Sequence, residues 1–133
     1  MEATVKAFIK QDNYYTEITA GNHTIIADEP LDLGGKDKGL NPMELLAGAL
    51  SACTLATLKM YMDRKNWVAE KINVEIHLDN NRETRTTTFS RTISFENHNL
   101  TEDQIKRLHN IAEACPVHKA LTGTITINTH IDY

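Results

Sequence analysis

The chain holds two cysteines, Cys53 and Cys115, and these are the side chains best suited to nucleophilic chemistry. A thiolate attacks electrophilic oxygen or sulfur, and two thiols within reach of each other can cycle between dithiol and disulfide. They stand 62 positions apart, yet each falls on the apolar stripe of a predicted helix, an arrangement that lets them meet. A plainer reading stands beside this one: a free cysteine is among the most buried residue types and often serves as a small hydrophobe. Cys115 has local help. Pro116 suits the first position of a short helix, which makes Cys115 the N-cap. A thiol there meets free backbone N–H groups and the positive end of the helix, both of which favour its thiolate. His118 and Lys119, one turn on, add positive charge. Cys53 sits mid-helix, so an activating cation has to come from another element.

Other chemistries fit less well. Cys115-x-x-His118, joined by Cys53, has the spacing of metal ligands, but zinc sites usually show two paired clusters and the second is missing. His23, His77, His98, His109 and His130 are scattered, most of them on predicted polar faces. No metal is expected. The loop Gly34-Gly35-Lys36-Asp37-Lys38-Gly39 is rich in glycine, but a P-loop needs Lys and Ser or Thr directly after its last glycine, and here Leu40 and Asn41 follow. Neither GxGxxG after a strand nor GxSxG occurs, so no nucleotide cofactor and no serine hydrolase chemistry is expected.

The elements that must position the two thiols are legible from periodicity. Val5, Ala7 and Ile9 alternate with Lys6 and Lys10, which suits a half-buried strand, and Tyr14 to Thr19 and His23 to Ala27 read as two further strands joined at Gly21-Asn22. Asp28 to Leu40 is a loop. A helix then starts with Asn41 as N-cap, Pro42 at N1 and Glu44 at N3, flanked by Leu40 and Leu45 at staple spacing, and runs to about Arg64, roughly 36 Å. Its predicted inner stripe is Leu45, Leu46, Ala49, Leu50, Cys53, Ala56, Thr57 and Met60. Ala47, Gly48, Leu55 and Leu58 lie around the other side, so the helix needs cover on most sides. Ile72 to Leu78 alternates cleanly, Asn80-Asn81 suits a turn, and the next strand, about Thr84 to Glu96, puts Phe89, Arg91, Ile93 and Phe95 on one face. Thr101 and Gln104 form a capping box for a second helix, whose apolar face carries Ile105, Leu108, Ile111, Ala112 and Cys115. A short helix Pro116 to Leu121 and a last alternating strand through Ile125, Ile127, Thr129 and Ile131 complete the order βββ-α-ββ-αα-β. Strands and helices do not alternate singly, which favours an α+β fold over a doubly wound parallel sheet.

Whole-chain properties narrow the classes. A length of 133 residues suits one domain, and 41% hydrophobic with 24% charged residues is ordinary for a globular protein, which excludes disorder. A net charge of −4 argues against nucleic-acid binding, which needs a basic face. No apolar run approaches the ~20 residues that span a bilayer, and the first residues lack a basic stretch followed by an apolar core. A cytoplasmic protein with no membrane partner is expected, its cysteines kept as thiols unless chemistry oxidises them.

Two segments carry a family resemblance. Asn41-Pro42-Met43-Glu44-Leu45-Leu46-Ala47-Gly48-Ala49-Leu50-Ser51-Ala52-Cys53 resembles the first cysteine motif of the OsmC/Ohr superfamily, the osmotically inducible and organic hydroperoxide resistance proteins. Ala114-Cys115-Pro116-Val117-His118-Lys119-Ala120-Leu121 resembles the second. Either alone is modest; together, at this separation and in this element order, they are specific and cover nearly the whole chain. The resemblance implies a single domain over residues 1–133 and an intertwined homodimer, with long central helices wrapped by sheets from both chains. It implies that Cys53 attacks the peroxide O–O bond and becomes a sulfenic acid, that Cys115 condenses with it to a disulfide, and that an external thiol restores both. In the best-studied members a Glu two residues after the motif Asn orients an Arg from the first hairpin, which holds the thiolate. Here Met43 takes the place of that Glu, and residues 1–35 contain no Arg. The pattern Pro-Met-Glu-Leu resembles the less characterised OsmC-like branch. Glu44 is a candidate for the missing Glu, with helix capping the simpler role. Arg91 is a candidate for the missing cation, the commoner alternative being an Arg whose stem packs while its head reaches solvent.

The expected function is therefore a cysteine-based, thiol-dependent peroxidase acting on organic hydroperoxides or hydrogen peroxide, regenerated by an external thiol such as a dithiol or lipoyl-type reductant, with Cys53 and Cys115 catalytic and Glu44, Arg91 and His118 as supporting candidates. The alternative is a non-enzymatic redox sensor or a binder of a small apolar ligand on the same fold. A third reading leaves both cysteines as inert core residues.

Overall fold

Three short strands open the chain: β1 (Lys6–Ile9), β2 (Thr16–Ala20) and β3 (His23–Ala27), paired antiparallel in the order β1-β2-β3. The β2–β3 turn is at Gly21, whose φ of 58° lies in the left-handed region that glycine enters freely. The computed structural model describes residues 1–133 and divides into two compact units, Met1–Gly48 and Ala49–Tyr133.

In the first unit the loop after β3 folds around one buried carboxylate. Asp28 is 2% exposed. Its Oδ1 accepts from the backbone N–H of Tyr14 and Glu29, and its Oδ2 from those of Lys36 and Lys38. Burial by itself would raise its pKa; the four amides outweigh that and hold it below the usual value. The glycines of this loop are steric requirements. A Cβ on Gly39 would lie 2.2 Å from the carbonyl oxygen of Ile26, and one on Gly35 2.0 Å from that of Glu29. The Lys-Asp-Lys run thus belongs to an Asp28-centred turn system, with Lys36 paired to Asp12 at 2.7 Å.

Helix α1 (Pro42–Lys65) begins as its sequence signals require: Asn41 Oδ1 accepts from the Glu44 N–H and Glu44 Oε1 accepts from the Asn41 N–H, each at 2.9 Å. It ends at Asn66, which adopts φ 57°, while the N–H of Trp67 reaches the carbonyl of Met62 and that of Asn66 the carbonyl of Asp63. These are the two bonds of a Schellman stop, with Asn in the glycine position. By length and composition α1 is apolar enough to cross a membrane, contrary to the expectation that no run comes close; a core helix meets the same test.

The second unit continues with β4 (Ala69–Asn81), β5 (Thr86–His98), α2 (Glu102–Glu113) and α3 (Pro116–Thr122). β4 and β5 form an antiparallel hairpin in which Ile72 faces Phe95, Val74 faces Ile93, Ile76 faces Arg91 and Leu78 faces Phe89. The half-buried face is the expected one, and Thr88, Ser90, Thr92 and Ser94 are exposed. The turn is not at Asn80-Asn81. Both residues belong to β4, and Arg82 to Arg85 make the turn, because Asn81 Oδ1 accepts from the N–H of Glu83 and Thr84.

The core is Leu58, Tyr61, Met62, Leu108 and Ala112, with Trp67, Ile72, Ile93, Phe95 and Leu100 packed against it. Full burial of Leu58 and Leu108 stabilises by roughly 1.5–3 kcal/mol each, and that contact seats α2 on α1. The buried stripe of α1 is Leu50, Thr54, Leu58, Tyr61 and Met62, so of the predicted inner stripe only Leu50 is buried, and Met60 is 66% exposed. A helix apolar on nearly every side has no single face for periodicity to find. The last predicted strand does not form either. Residues 124–133 are exposed and join no sheet, because alternation supplies a face but no neighbouring edge to hydrogen-bond.

Candidate functional site

Cys115 follows the Ala114 C-cap of α2 and opens α3. With φ −64°, ψ 139° and Pro116 behind it, it is the N-cap of α3, and its sulfur accepts from the N–H of His118 at 3.3 Å. Cys115 is completely buried. Cys53 is half-buried and one residue before the stripe position Thr54. Its sulfur accepts from the N–H of Val117 at 3.5 Å. Two thiols from different helices thus take consecutive amides, Val117 and His118, at the start of α3. Both are free thiols. These amides offer a positive partner to any negative charge that develops on either sulfur.

Arg91 projects from the half-buried face of β5, and only 12% of its side chain is exposed. Its Nη1 donates to Thr54 Oγ1 at 3.0 Å, and the Thr54 hydroxyl donates in turn to the Leu50 carbonyl at 2.6 Å. Its Nη2 lies 3.0 Å from His118 Nδ1 and 3.5 Å from Glu113 Oε2. A guanidinium only donates, so Nδ1 must accept. The imidazole proton is then on Nε2, 3.2 Å from Glu113 Oε2. Both ring nitrogens of His118 thus have a partner.

The candidate supporting residues are placed as follows. The Arg91 head is buried among partners and does not reach solvent, yet its hydrogen bonds go to Thr54, His118 and Glu113 and none to a sulfur. The His118 ring faces Arg91 and Glu113, while its backbone N–H serves the Cys115 sulfur, and Lys119 is exposed. Glu44 is occupied in the α1 capping box. Thr54 and Glu113 were not anticipated. Thr54 had a signal, a hydroxyl inside an apolar helix. Glu113 had none, since it reads as an ordinary charge at a helix end.

A cavity of about 420 Å³ adjoins the cluster. Leu50, Phe89, Ile93, Ala112 and Leu121 form its apolar wall, and Arg91, Glu113 and His118 its polar one. Neither cysteine lines it.

Comparison with known proteins agrees with this architecture. A family model described as OsmC-like protein matches residues 35–130. A Psychrobacter arcticus protein, provisionally described as an osmotic stress induced and detoxification response protein, is 26% identical with a TM-score of 0.78, over 90% of this chain and 88% of that one. The organic hydroperoxide resistance protein OhrB of Bacillus subtilis is 23% identical with a TM-score of 0.60, over 92% of each chain. An organic hydroperoxide resistance protein OsmC from Legionella pneumophila is 22% identical with a TM-score of 0.65, over 92% and 90%. No curated protein matches.

Proposed function

This chain belongs to the OsmC-like protein family, and on that premise we propose that it is a cysteine-based, thiol-dependent peroxidase for oxidative stress defence in the cytoplasm. One observation carries the reading: the sulfurs of Cys53 and Cys115, from separate helices, take adjacent amides of α3. The organic hydroperoxide resistance of the similar proteins supports the substrate class.

The Cys53 thiolate attacks the terminal oxygen of a hydroperoxide. The O–O bond breaks, the alkoxide leaves and takes up a proton as an alcohol, and Cys53 becomes a sulfenic acid. The Cys115 thiolate then attacks the Cys53 sulfur. Hydroxide leaves, is protonated to water, and a disulfide forms. An external dithiol, such as a lipoyl-type reductant, returns two electrons by exchange and leaves as its own disulfide. The proposed assembly is a homodimer. Met43, Leu46 and Met60 of α1 and Ile125, Ile127 and Ile131 of the tail are exposed apolar side chains suited to cover by a second copy.

A stoichiometric hydroperoxide added to reduced protein should consume both thiols, and Cys53→Ser should keep its one thiol and lose turnover. Retention of two thiols, or an unchanged rate in Cys53→Ser, overturns the proposal. A second reading has its own support. The cavity excludes both cysteines and Arg91 is committed to neighbours, which suits a redox sensor or a binder of a small apolar ligand. Disulfide formation without steady-state turnover, across several thiol donors, would favour that reading.

A further inference from the structure

A second site lies further along α1, outside the thiol cluster. Tyr61 is 7% exposed, and three cations surround its ring: Arg64 Cζ, Lys65 Nζ and Arg107 Cζ each lie 5.7 Å from the centroid. The same four residues line a cavity of about 300 Å³. None of the three cations has a carboxylate within 4.0 Å, although the protein as a whole carries a net charge of −4.

Simpler accounts explain part of this. Basic residues suit the last turn of a helix, which covers Arg64 and Lys65. Arg107 comes from α2, and its Nε donates to the Tyr61 hydroxyl at 3.0 Å. A ring presents two faces, so a third cation gains little from it. Nor do the helix-end carbonyls of Met62 and Asp63 need these cations, because they already accept from Trp67 and Asn66. Three like charges gathered without a counter-charge repel one another, and an anion removes that repulsion.

We infer that Tyr61, Arg64, Lys65 and Arg107 form a binding site for a phosphoryl oxyanion carrying at least two negative charges, as in a phosphate monoester or a diphosphate. Arg107 spends Nε on Tyr61 and keeps both terminal nitrogens for a two-pronged contact with the oxyanion. Tyr61, having accepted from Arg107, keeps its own proton to donate. Arg64 and Lys65 supply the remaining charge. The Arg107 hydrogen bond, and then the charges of Arg107, Lys65 and Arg64, outweigh burial and hold the Tyr61 phenol below its usual range, so the field there is positive.

Trp67, the only tryptophan, sits edge-on to Tyr61 at 5.5 Å and reports on the site. The test is a titration of the full chain with inorganic pyrophosphate, followed by Trp67 fluorescence, against sodium chloride at matched ionic strength. A saturable change is expected in the millimolar range or below, about tenfold weaker in Arg107→Gln. Lys65→Gln, at an exposed position, should weaken it severalfold and guards against a folding defect in the Arg107 variant. Absence of saturation by about 10 mM, an equal response to sodium chloride, or wild-type binding in both variants would overturn the inference.

Discussion

Cys115 and Cys53 reach the same helix start by different routes, and that difference sets what each can be expected to do. Cys115 was readable as an N-cap because Pro116 follows it, a local signal. The donor to Cys53 comes from Val117, 64 residues away, and no local pattern announces it. Arg91 was visible as a basic residue on an apolar strand face, but its partners Thr54, His118 and Glu113 come from three other segments and exist only once the chain has folded. If Cys115 resolves an oxidised Cys53, Cys115→Ser should stop the reaction one step short. Treated with one equivalent of hydroperoxide, that variant should give a dimedone-reactive sulfenic acid at Cys53 by mass spectrometry, where the wild type should instead lose two hydrogens and give no adduct. Asp28 carries a separate prediction. Its folded pKa lies below the ordinary 3.8, so the unfolded chain takes up the proton first on acidification. Its stabilisation is therefore full above that value and drains away as pH falls through the lower folded one. Asp28→Asn turns an amide NH2 toward backbone N–H groups that need an acceptor. It should lower the thermal midpoint most at neutral pH, with the gap to wild type narrowing below pH 3.8.

At the scale of elements, starts were more legible than faces. The capping boxes at Asn41/Glu44 and Thr101/Gln104 form as their residue types require, since a side chain three positions away from its partner needs nothing else from the fold. Thr101→Ala removes the acceptor for the Gln104 N–H and should cost about 1 kcal/mol in urea denaturation. That loss would act directly on the site, because α2 carries Leu108 and Ala112 into the core and ends at Glu113, two residues before Cys115. Hairpin faces were also readable, because β4 and β5 alternate with one side half-buried. What period counting could not supply was the choice among several apolar faces of α1, or the exact turn between β4 and β5. Burial of α1 is decided by where Leu108 and the β4–β5 face sit, and the turn by two hydrogen bonds to Asn81.

At the scale of the molecule, the tail is the place where sequence pattern and single-chain structure disagree most. Ile125, Ile127 and Ile131 alternate as a strand should, yet they are 60%, 85% and 74% exposed and no strand pairs with them. Apolar alternation with no partner wastes the burial that such a pattern otherwise provides, on the order of 1.5 kcal/mol or more per isoleucine. A second copy offers the missing edge, and the same copy would cover Met43, Leu46 and Met60 on α1. The proposed homodimer therefore predicts a coupled loss. Ile127→Asp puts a charge where the pattern demands an apolar contact. In sedimentation velocity the wild type should run as a dimer at micromolar concentration, and the variant should dissociate at least tenfold more readily, a change of about 1.4 kcal/mol. The β4–β5–α2 core does not involve the tail, so far-UV circular dichroism of the variant should keep its helical signal. A monomeric wild type, or an Ile127→Asp variant as tightly associated as wild type, would remove the tail from any role in assembly and leave its alternation without a physical use.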